Sequence, residues 1–344
     1  YVLYRIMPGV RLGGKRMKYI EMTSTDPYMN LATEEYVFEN MDRHESYFML
    51  WQNDNAIIIG KHQNTVEEIN QEFVDAHGIR VARRLTGGGA VYHDKGNLNF
   101  TFIVDEGAAE DFNFHVFVEP VLKVLHKYDI PADFTGRNDL TIDGMKFSGN
   151  SQYAKHGRLL VHGCVMLDAN ADYLTQALKV KQKKYESRGI KSVRSRVTCI
   201  NDHFREPMPM AMFKQLLLKQ VFAGNDIKQY ILNETDLAAI QKLRDEKYAT
   251  WEWNYGKSPA YNMKREKKFP AGLVTIYMQA NKGRIEDIHF YGDFFGSRDM
   301  QELENTFKGM PLDDHLLEKM KSMDIDSYMN GISAEDIYQL IRYE

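Results

Sequence analysis

Three consecutive glycines, Gly87, Gly88 and Gly89, constrain this 344-residue chain more than any other short stretch. They lie in "VARRLTGGGAVYHDKGNLNFTF", after two arginines and before two segments with the alternation of β-strands. A tight turn needs one or two glycines, and each further glycine loses more conformational entropy on folding than alanine would. The run therefore indicates a segment of backbone that a ligand approaches closely.

The chemistry of this run favours an anion. Backbone N–H groups without a neighbouring Cβ bind phosphate well, and Arg83 and Arg84 would add positive charge. A phosphate or adenylate site is the functional interpretation, and a β-bulge or mobile turn beside two solvated arginines is the alternative. The run fits neither the G-x-x-x-x-G-K-[ST] phosphate loop nor the G-x-G-x-x-G dinucleotide fingerprint.

Composition limits the class of protein. Hydrophobic residues make up 43% and charged residues 27%, which is typical of a globular chain with a real core. A net charge of -4 gives no general attraction to nucleic acid. The two cysteines, Cys164 and Cys199, form no C-x-x-C motif and no disulfide framework, which favours a reducing cytoplasm. No apolar run approaches the roughly 20 residues that a membrane span needs.

The pattern along the chain predicts two domains, as its length suggests. Residues 1–16 differ from the patterned sequence that follows, and we interpret them as a leader or a vector-derived extension. Strand and helix patterns over 17–246 predict a large α/β domain. The composition shifts over 247–255, the predicted linker, and a hairpin with two or three short helices predicts a small α+β domain over 256–344.

Local signals place several elements. Asp26 followed by Pro27 predicts a helix start, and Asp143-Gly144 predicts a two-residue hairpin turn. "TVEEINQEFVDAHG" predicts one helix that ends at Gly78. "SAED" near the end of the chain resembles a capping box.

Lys146 is the second candidate for chemistry. It follows the predicted turn in "DGMKFSGN", where Met145 and Phe147 should share one face of a strand. Lys146 and Ser148 would then project from the other face, toward solvent or a polar cleft. An exposed hairpin lysine is the alternative to a lysine that lines a ligand site.

Three weaker signals accompany it. Asp139 could help to hold a divalent ion or could cap a turn. His162 and Cys164 lie in the apolar segment "LLVHGCVML", where a hydrogen-bonded core histidine and a small buried thiol are the common cases. Residues 179–197 carry eight Lys or Arg against the single Glu186, which indicates a solvated face, closure over phosphates or docking of an acidic partner.

Taken together, these segments resemble the lipoate–protein ligase A family, in the family's order and spacing, over nearly all of the chain from Met17 on. The matching stretches are "DPYMNLATEEYVF", "LWQNDNAIIIGKHQN", "RRLTGGGAVYHDKGNLNFTF", "GRNDL", "KFSGNSQY", "VHG", "KSVRSRVT" and "WEWNYGKSPAY".

The resemblance implies an α+β fold. The large catalytic domain would be built on a mixed, mainly antiparallel sheet flanked by helices, like the biotin protein ligase catalytic domain, and a small C-terminal accessory domain would follow. It also implies that lipoate and Mg-ATP form lipoyl-AMP with release of pyrophosphate. The lipoyl group would pass to a lysine of the lipoyl domains of 2-oxoacid dehydrogenase E2 subunits or of the glycine cleavage H protein, in the cytoplasm, with no role for nucleic acid or a membrane.

The resemblance also implies residue roles. Arg84 should bind ATP phosphate, and Lys146 should contact both the lipoate carboxylate and the α-phosphate. The implied ATP and adenylate site comprises Arg84, Gly87, Gly88, Gly89, Ala90, Val91, Tyr92, His93, Asn97 and Lys146. The implied lipoate site comprises Lys146, Trp51 and His162, with Leu50 and Ile57–Ile59 as further candidates for the apolar slot, and Asp139 is the candidate metal ligand. The basic stretch 179–197 would close over the adenylate.

Two residues depart from the family's pattern. Thr86 stands where serine is common and keeps the hydroxyl, whereas Cys164 stands where a hydroxyl or small residue is usual. The cysteine keeps one alternative open, an ATP-independent octanoyl or lipoyl acyltransferase that works through a cysteine thioester. A second alternative is a non-catalytic lipoate-binding partner protein, against which Arg84, the glycine run and Lys146 argue.

Overall fold

The computed structural model describes residues 17–105, 114–135, 138–179, 196–222, 226–256, 261 and 263–343. The predictions made for residues 1–16 and for most of the basic stretch 179–197 lie outside these residues.

Eight strands form the main sheet, in the order β11-β1-β2-β6-β10-β9-β8-β7. Their bounds are β1 Met17–Glu21, β2 Ser46–Trp51, β6 Asn97–Asp105, β7 Ala132–Thr135, β8 Asp139–Ile142, β9 Met145–Lys155, β10 Arg158–Met166 and β11 Lys228–Gln229. The pairs of β1 with β11 and with β2 are parallel, and the other pairs are antiparallel. The prediction of a mixed, mainly antiparallel sheet is confirmed.

A second, three-stranded sheet in the order β4-β3-β5 carries the glycine run. Its strands are β3 Ala56–Ile59, β4 Arg80–Arg83 and β5 Val91–His93, and the glycines connect β4 to β5. β2 and β3 therefore follow each other along the chain but belong to different sheets.

Helices flank both sheets. Their bounds are α1 Pro27–Asn40, α2 Thr65–Glu68, α3 Gln71–Ala76, α4 Phe114–His126, α5 Ala171–Ala177, α6 Met210–Val221, α7 Glu234–Leu243 and α8 Trp251–Asn254. α4 and α6 share a core with one face of the main sheet, whereas α1 packs on the opposite face together with the second sheet. None of the described helices combines the length and the hydropathy that crossing a bilayer requires.

The small domain has its own sheet and core. Strands β12 Met263–Phe269, β13 Gly272–Asn281 and β14 Arg284–Gly292 form an antiparallel sheet. Helices α9 Met300–Phe307, α10 Asp314–Lys321, α11 Ile325–Tyr328 and α12 Ala334–Tyr343 cover it around a separate apolar cluster. Four short helices, not two or three, thus follow the hairpin.

Most local signals are confirmed. The Asp26 side chain accepts a hydrogen bond from Tyr28 N at the start of α1, with Pro27 as the first residue. Asp143 and Gly144 have φ values of 50° and 78°, as a two-residue hairpin turn with both central residues at positive φ requires. At the start of α12, Ser333 and Asp336 bond each other's backbone N–H as a capping box.

Two expectations differ from the structure. The single helix predicted up to Gly78 is two short helices, α2 and α3, because Ile69 between them turns inward and bridges to Leu178. The predicted linker 247–255 is packed on the large domain, since Asn254 is buried and hydrogen-bonds Arg83. The domain boundary itself stays a prediction.

Candidate active site

Two cavities meet at Lys146. The larger has a volume of about 240 Å³ and the smaller about 130 Å³. Both are lined by the end of the glycine run and by the strands that face it, through Gly89, Ala90, Val91, Lys146, Gly149 and Cys164. A molecule that filled both cavities would pass the Lys146 side chain.

The β8–β9 hairpin places Lys146. Phe147 is fully buried in the core on one side of β9, and the Lys146 side chain keeps 42% exposure on the other, as the sequence predicted. Its Nζ lies 2.8 Å from Oδ1 of Asp139. A Cβ at position 149 would lie 3.0 Å from this Nζ, so Gly149 leaves the ammonium the space it occupies.

A different structural feature favours glycine at each of the three positions of the run. A Cβ on Gly87 would lie 2.3 Å from the Phe294 carbonyl oxygen of the small domain, so this residue permits contact between the domains. Gly88 has a φ of 90°, which side chains other than glycine rarely adopt. A Cβ on Gly89 would meet no atom within 4 Å, because this residue borders open cavity space. Gly87 lines neither cavity, unlike Gly88 and Gly89.

Arg84 holds the glycine run from within. Its guanidinium donates to the carbonyl oxygens of Gly87 at 2.6 Å and Gly89 at 2.9 Å, and to Ile58 O at 3.2 Å. Its Nε donates to Thr86 Oγ1 at 3.0 Å. Burial lowers the pKa of Arg84 to about 10, so the side chain remains charged near neutral pH. Arg84 lines the smaller cavity, but most of its donors are used by the loop.

Arg83, in contrast, points away from the cavities. Its guanidinium donates to carbonyl oxygens of Gly60, Gln63 and Trp253, and it is buried. Its bond to Trp253 holds the predicted linker against β4.

The smaller cavity is built on transverse rows of the main sheet. Trp51, Asn99 and Cys164 are cross-strand neighbours on β2, β6 and β10, and all three line it. His162 and Ser151 pair in the next row and line it too. Trp51 and His162, two of the predicted lipoate residues, thus lie in one cavity with Lys146, the third.

Strand alternation decides which apolar candidates reach this cavity. Ile58 lines it, whereas Ile57 and Ile59 point to a cluster on the other face of the second sheet. Leu50 lies in the core beneath the main sheet, one register position from Trp51. Leu50, Ile57 and Ile59 therefore do not line the smaller cavity, because successive strand residues face opposite sides.

Three of the residues that line this cavity have a buried polar atom without a partner in the described part of the chain. The atoms are Nε2 of His93, Nδ2 of Asn99 and Oδ1 of Asn150. His93 Nδ1 is 3.2 Å from Asn53 Nδ2, and burial lowers the pKa of His93 to about 3. Buried polar groups are normally hydrogen-bonded, so these three atoms indicate that a polar ligand or water completes the site.

The predicted nucleotide residues are divided between the cavities, and those that line only the smaller one are Arg84, Gly88 and His93. Tyr92 and Asn97 line the larger cavity beside Ala90 and Val91. Asn97 also accepts a hydrogen bond from Asp94 N at 3.0 Å, which fixes the turn after β5. Leu174, Leu178 and Val197 add apolar surface.

Sequence reasoning missed Glu34. It is 2% exposed, and its carboxylate lies 2.8 Å from His162 Nδ1. Thr101 donates to the same carboxylate, and Trp51 Nε1 donates to Thr101 at 2.9 Å. The signal was available, because Glu34 stands on the buried face of α1 at helical spacing from Leu31 and Phe38.

Neither cysteine has the surroundings of a nucleophile. Burial raises the pKa of the Cys164 thiol, although this residue lines both cavities. Burial also raises the pKa of Cys199 to about 11, and its thiol donates to Ala169 O at 3.3 Å. An activated thiol needs a depressed pKa.

No cluster of three or more His, Cys, Asp or Glu suited to a metal ion occurs in the described residues. Asp139, the candidate metal ligand, instead forms the ion pair with Lys146. A divalent ion at Asp139 would therefore need further ligands from a substrate, which a triphosphate provides.

Two family models match the chain, and they divide it where the two cores do. Residues 26–222 match the lipoyl protein ligase A/B catalytic domain, and residues 258–341 match the bacterial lipoate protein ligase C-terminus. Lipoate–protein ligase 1 of Staphylococcus aureus is 43% identical over 327 residues, which are 94% of this chain and 100% of that protein. Lipoate–protein ligase LplJ of Bacillus subtilis is 42% identical over 320 residues, 92% of this chain and 97% of that protein.

Solved structures give the same picture. LipL1 of P. falciparum in complex with lipoate superposes with a TM-score of 0.79 over 96% of this chain and 100% of that one, and at 23% identity it supports the fold alone. A lipoate–protein ligase A bound with ATP gives 0.60 at 25% identity, over 70% and 98% of the two chains. A bipartite ligase from Thermoplasma acidophilum, solved as part of a system with its E2 lipoyl domain, gives 0.62 at 26%, over 72% and 100%. The chain belongs to the lipoate–protein ligase family.

Proposed function

We propose that this chain activates lipoate with Mg-ATP to lipoyl-AMP and then transfers the lipoyl group to a lysine of an acceptor protein. The observation that carries the proposal is the position of Lys146, at the junction of a cavity lined by Trp51 and His162 and a cavity lined by Gly89 and Tyr92. Lipoate would occupy the first cavity and the nucleotide the second. The two reacting groups would then meet at the ammonium.

The chemistry requires a cation at this junction. In the first step a carboxylate oxygen bonds to the α-phosphorus, the bond to the bridging oxygen breaks, and pyrophosphate leaves. The step brings two anions together, and Lys146 would offset their repulsion and stabilise the charge of the transition state. Backbone N–H groups near Gly88 and Gly89 would bind phosphate, and Mg²⁺ would neutralise the leaving pyrophosphate.

The second step needs little from the protein. The mixed anhydride is a good electrophile, and the acceptor amine forms the amide as AMP leaves. The enzyme positions the groups and shields the anhydride from water. A protein nucleophile is unnecessary, which agrees with two unactivated thiols.

The acceptors that we propose are lipoyl domains of 2-oxoacid dehydrogenase E2 subunits and the glycine cleavage H protein, in the cytoplasm. The archaeal ligase that this chain resembles was studied with an E2 lipoyl domain, which supports the first of these classes.

The test is exchange of labelled pyrophosphate into ATP by the purified chain. Exchange that requires both lipoate and magnesium is expected, followed by lipoylation of an added lipoyl domain. Absence of exchange with intact lipoate binding would overturn the proposal and favour a thioester transferase or a non-catalytic binder.

Two further measurements separate those alternatives. A Cys164→Ser, Cys199→Ser double variant should keep its ATP-dependent activity. Loss of that activity in the double variant would support the thioester route. Calorimetric titration with a lipoyl-AMP analogue should give tighter binding than lipoate alone, whereas a binder without a nucleotide site would give equal affinities.

A further inference from the structure

We propose that Glu34 acts through His162 and Thr86 as a positioning residue for the glycine loop, Thr86–Gly89. Glu34 thereby couples the smaller cavity, which we call the acyl cavity, to the larger one, which we call the nucleotide cavity. The inference rests on the proposed function for its kinetic test, but its structural test does not. The juxtaposition that carries it is a continuous buried hydrogen-bond chain from α1 to the loop.

The chain of contacts has three joints. Glu34 accepts from His162 Nδ1 at 2.8 Å, His162 Nε2 lies 2.7 Å from Thr86 Oγ1, and Thr86 Oγ1 accepts from Arg84 Nε at 3.0 Å. Arg84 then holds the carbonyl oxygens of Gly87 and Gly89. Each of the four side chains in the chain is less than one tenth exposed.

The neutral form of His162 gives this hydrogen-bond chain one direction. With the Glu34 carboxylate as an acceptor, a neutral imidazole carries its proton on Nδ1 and offers Nε2 as an acceptor. Thr86 must then donate its hydroxyl proton to Nε2, because Arg84 can only donate. Thr86 therefore has one orientation in which both contacts are satisfied, and that orientation presents an acceptor to Arg84.

The chain touches both cavities. His162 lines the acyl cavity, whereas Gly89, at the other end, borders both cavities. The Thr86 side chain lines neither cavity, so its hydroxyl acts on the reaction through its neighbours. A ligand that displaces His162 would consequently also displace the glycine loop, which is proposed to bind phosphate.

The first experiment removes the two contacts that the Thr86 hydroxyl makes, with His162 and with Arg84. Thr86→Val keeps the shape and deletes the hydroxyl, and Thr86→Ser restores the hydroxyl. We expect Thr86→Val to raise KM for ATP about tenfold in pyrophosphate exchange, with the Kd for lipoate alone changed less than twofold. Thr86→Ser should recover to within threefold of the parent. Thr275→Val, which deletes a buried hydroxyl that donates to Glu266 in the small domain, is the matched control.

The second experiment needs no substrate. The amide of Lys61 donates to Thr86 O at 2.8 Å, so hydrogen exchange at Lys61 reports the position of the loop. Thr86→Val should speed this exchange at least tenfold over the parent and Thr86→Ser. Unchanged hydrogen exchange at Lys61 in Thr86→Val, or a Thr86→Ser variant that exchanges as fast as Thr86→Val, would overturn the inference. If the parent chain catalysed no pyrophosphate exchange but Thr86→Val still sped hydrogen exchange at Lys61, the proposed function would be refuted and the positioning role of Thr86 would stand.

A double-mutant cycle tests the link to α1. Glu34→Gln keeps an acceptor but weakens the bond to His162. If both residues act through one chain, adding Glu34→Gln to Thr86→Val should change KM for ATP by less than twofold, although Glu34→Gln alone raises it several-fold. Additive effects would mean that Glu34 stabilises α1 and does not position the loop.

Discussion

Lys146 illustrates how one residue serves two partners at different times. Its ammonium pairs with Asp139, and in the proposed reaction it must turn to a carboxylate and a phosphate. Lys146→Ala should lower pyrophosphate exchange by at least about 100-fold, in the range found when one charge-stabilising donor is removed. The fold should survive, because the Lys146 side chain is 42% exposed.

The control for that substitution is Lys123→Ala. Lys123 is a similarly exposed lysine of α4 that pairs with Glu119, away from both cavities. Its loss should leave exchange unchanged. Thermal melting of both variants separates lost chemistry from lost folding, and full activity of Lys146→Ala with a normal melting curve would sink the assignment of this lysine.

Asp139 competes with the substrate for Lys146. A half-exposed ion pair contributes about 0–1 kcal/mol, so Asp139→Asn should lower KM for lipoate by no more than about fivefold. The Mg²⁺ concentration that gives half-maximal exchange should stay the same. An increased requirement for Mg²⁺ would instead make Asp139 a metal ligand. Steady-state kinetics over a range of Mg²⁺ concentrations decides between the two roles.

The sequence identifies the side chains that could take part in the reaction better than it identifies the contacts that orient them. The family resemblance implied a shared site for Lys146, Trp51 and His162, and all three line one cavity. The partners that orient them could not, because the Glu34–His162 contact joins residues 128 positions apart. Spacing along one element predicts which residues share a face, but contacts between elements depend on tertiary packing.

The glycine loop shows how neighbouring glycines of one element divide the work. Gly87→Ala would place a methyl group 2.3 Å from the Phe294 carbonyl oxygen, so backbone must move. Overpacking of this kind costs about 1–3 kcal/mol, and the melting temperature should fall by several degrees. Differential scanning calorimetry measures it.

Gly89→Ala is the opposite case and the matched comparison. Its methyl group meets no protein atom within 4 Å, so the melting temperature should stay within about one degree of the parent. The methyl would enter the space shared by both cavities, and KM for ATP should rise roughly tenfold. Unchanged KM in Gly89→Ala would show that the substrate does not approach this backbone.

At the element scale, turn and cap chemistry made the most accurate predictions. Asp26-Pro27, Asp143-Gly144 and Ser333 each act through a hydrogen bond or a φ value within a few residues. The segment ending at Gly78 failed because the bridge between Ile69 and Leu178 comes from an element more than 100 residues away. Local sequence carries no information about such a partner.

In the whole molecule, the two domains are in contact at a place that the sequence did not predict. The His62 ring stacks on Phe294 of the small domain, with ring centroids 4.8 Å apart, and His62 O accepts from Gly292 N at 2.6 Å. Phe295 packs against Gly87 in the same region. Because both domains contribute to this contact, neither domain's own pattern could have predicted it.

This contact makes stability depend on acid. Burial, and then Lys61 and Arg83, lower the pKa of His62 to about 3, against about 6.5 in an unfolded chain. Between pH 6.5 and pH 3, His62 is therefore protonated in the unfolded state but not in the folded state. The stability that His62 contributes is present above pH 6.5 and is lost as the pH falls, by up to about 1.4 kcal/mol per pH unit.

His62→Leu removes this titration and keeps an apolar contact with Phe294. Between pH 7 and pH 5 the parent should lose about 2 kcal/mol more of its free energy of unfolding than the variant. His93, whose pKa burial also lowers to about 3, titrates in both proteins and cancels in the comparison. His315→Gln, a change at an exposed histidine, should behave as the parent does. Urea titrations at pH 5, 6 and 7 measure the difference, and parallel losses in parent and His62→Leu would show that the contact between the domains is not the acid-sensitive element.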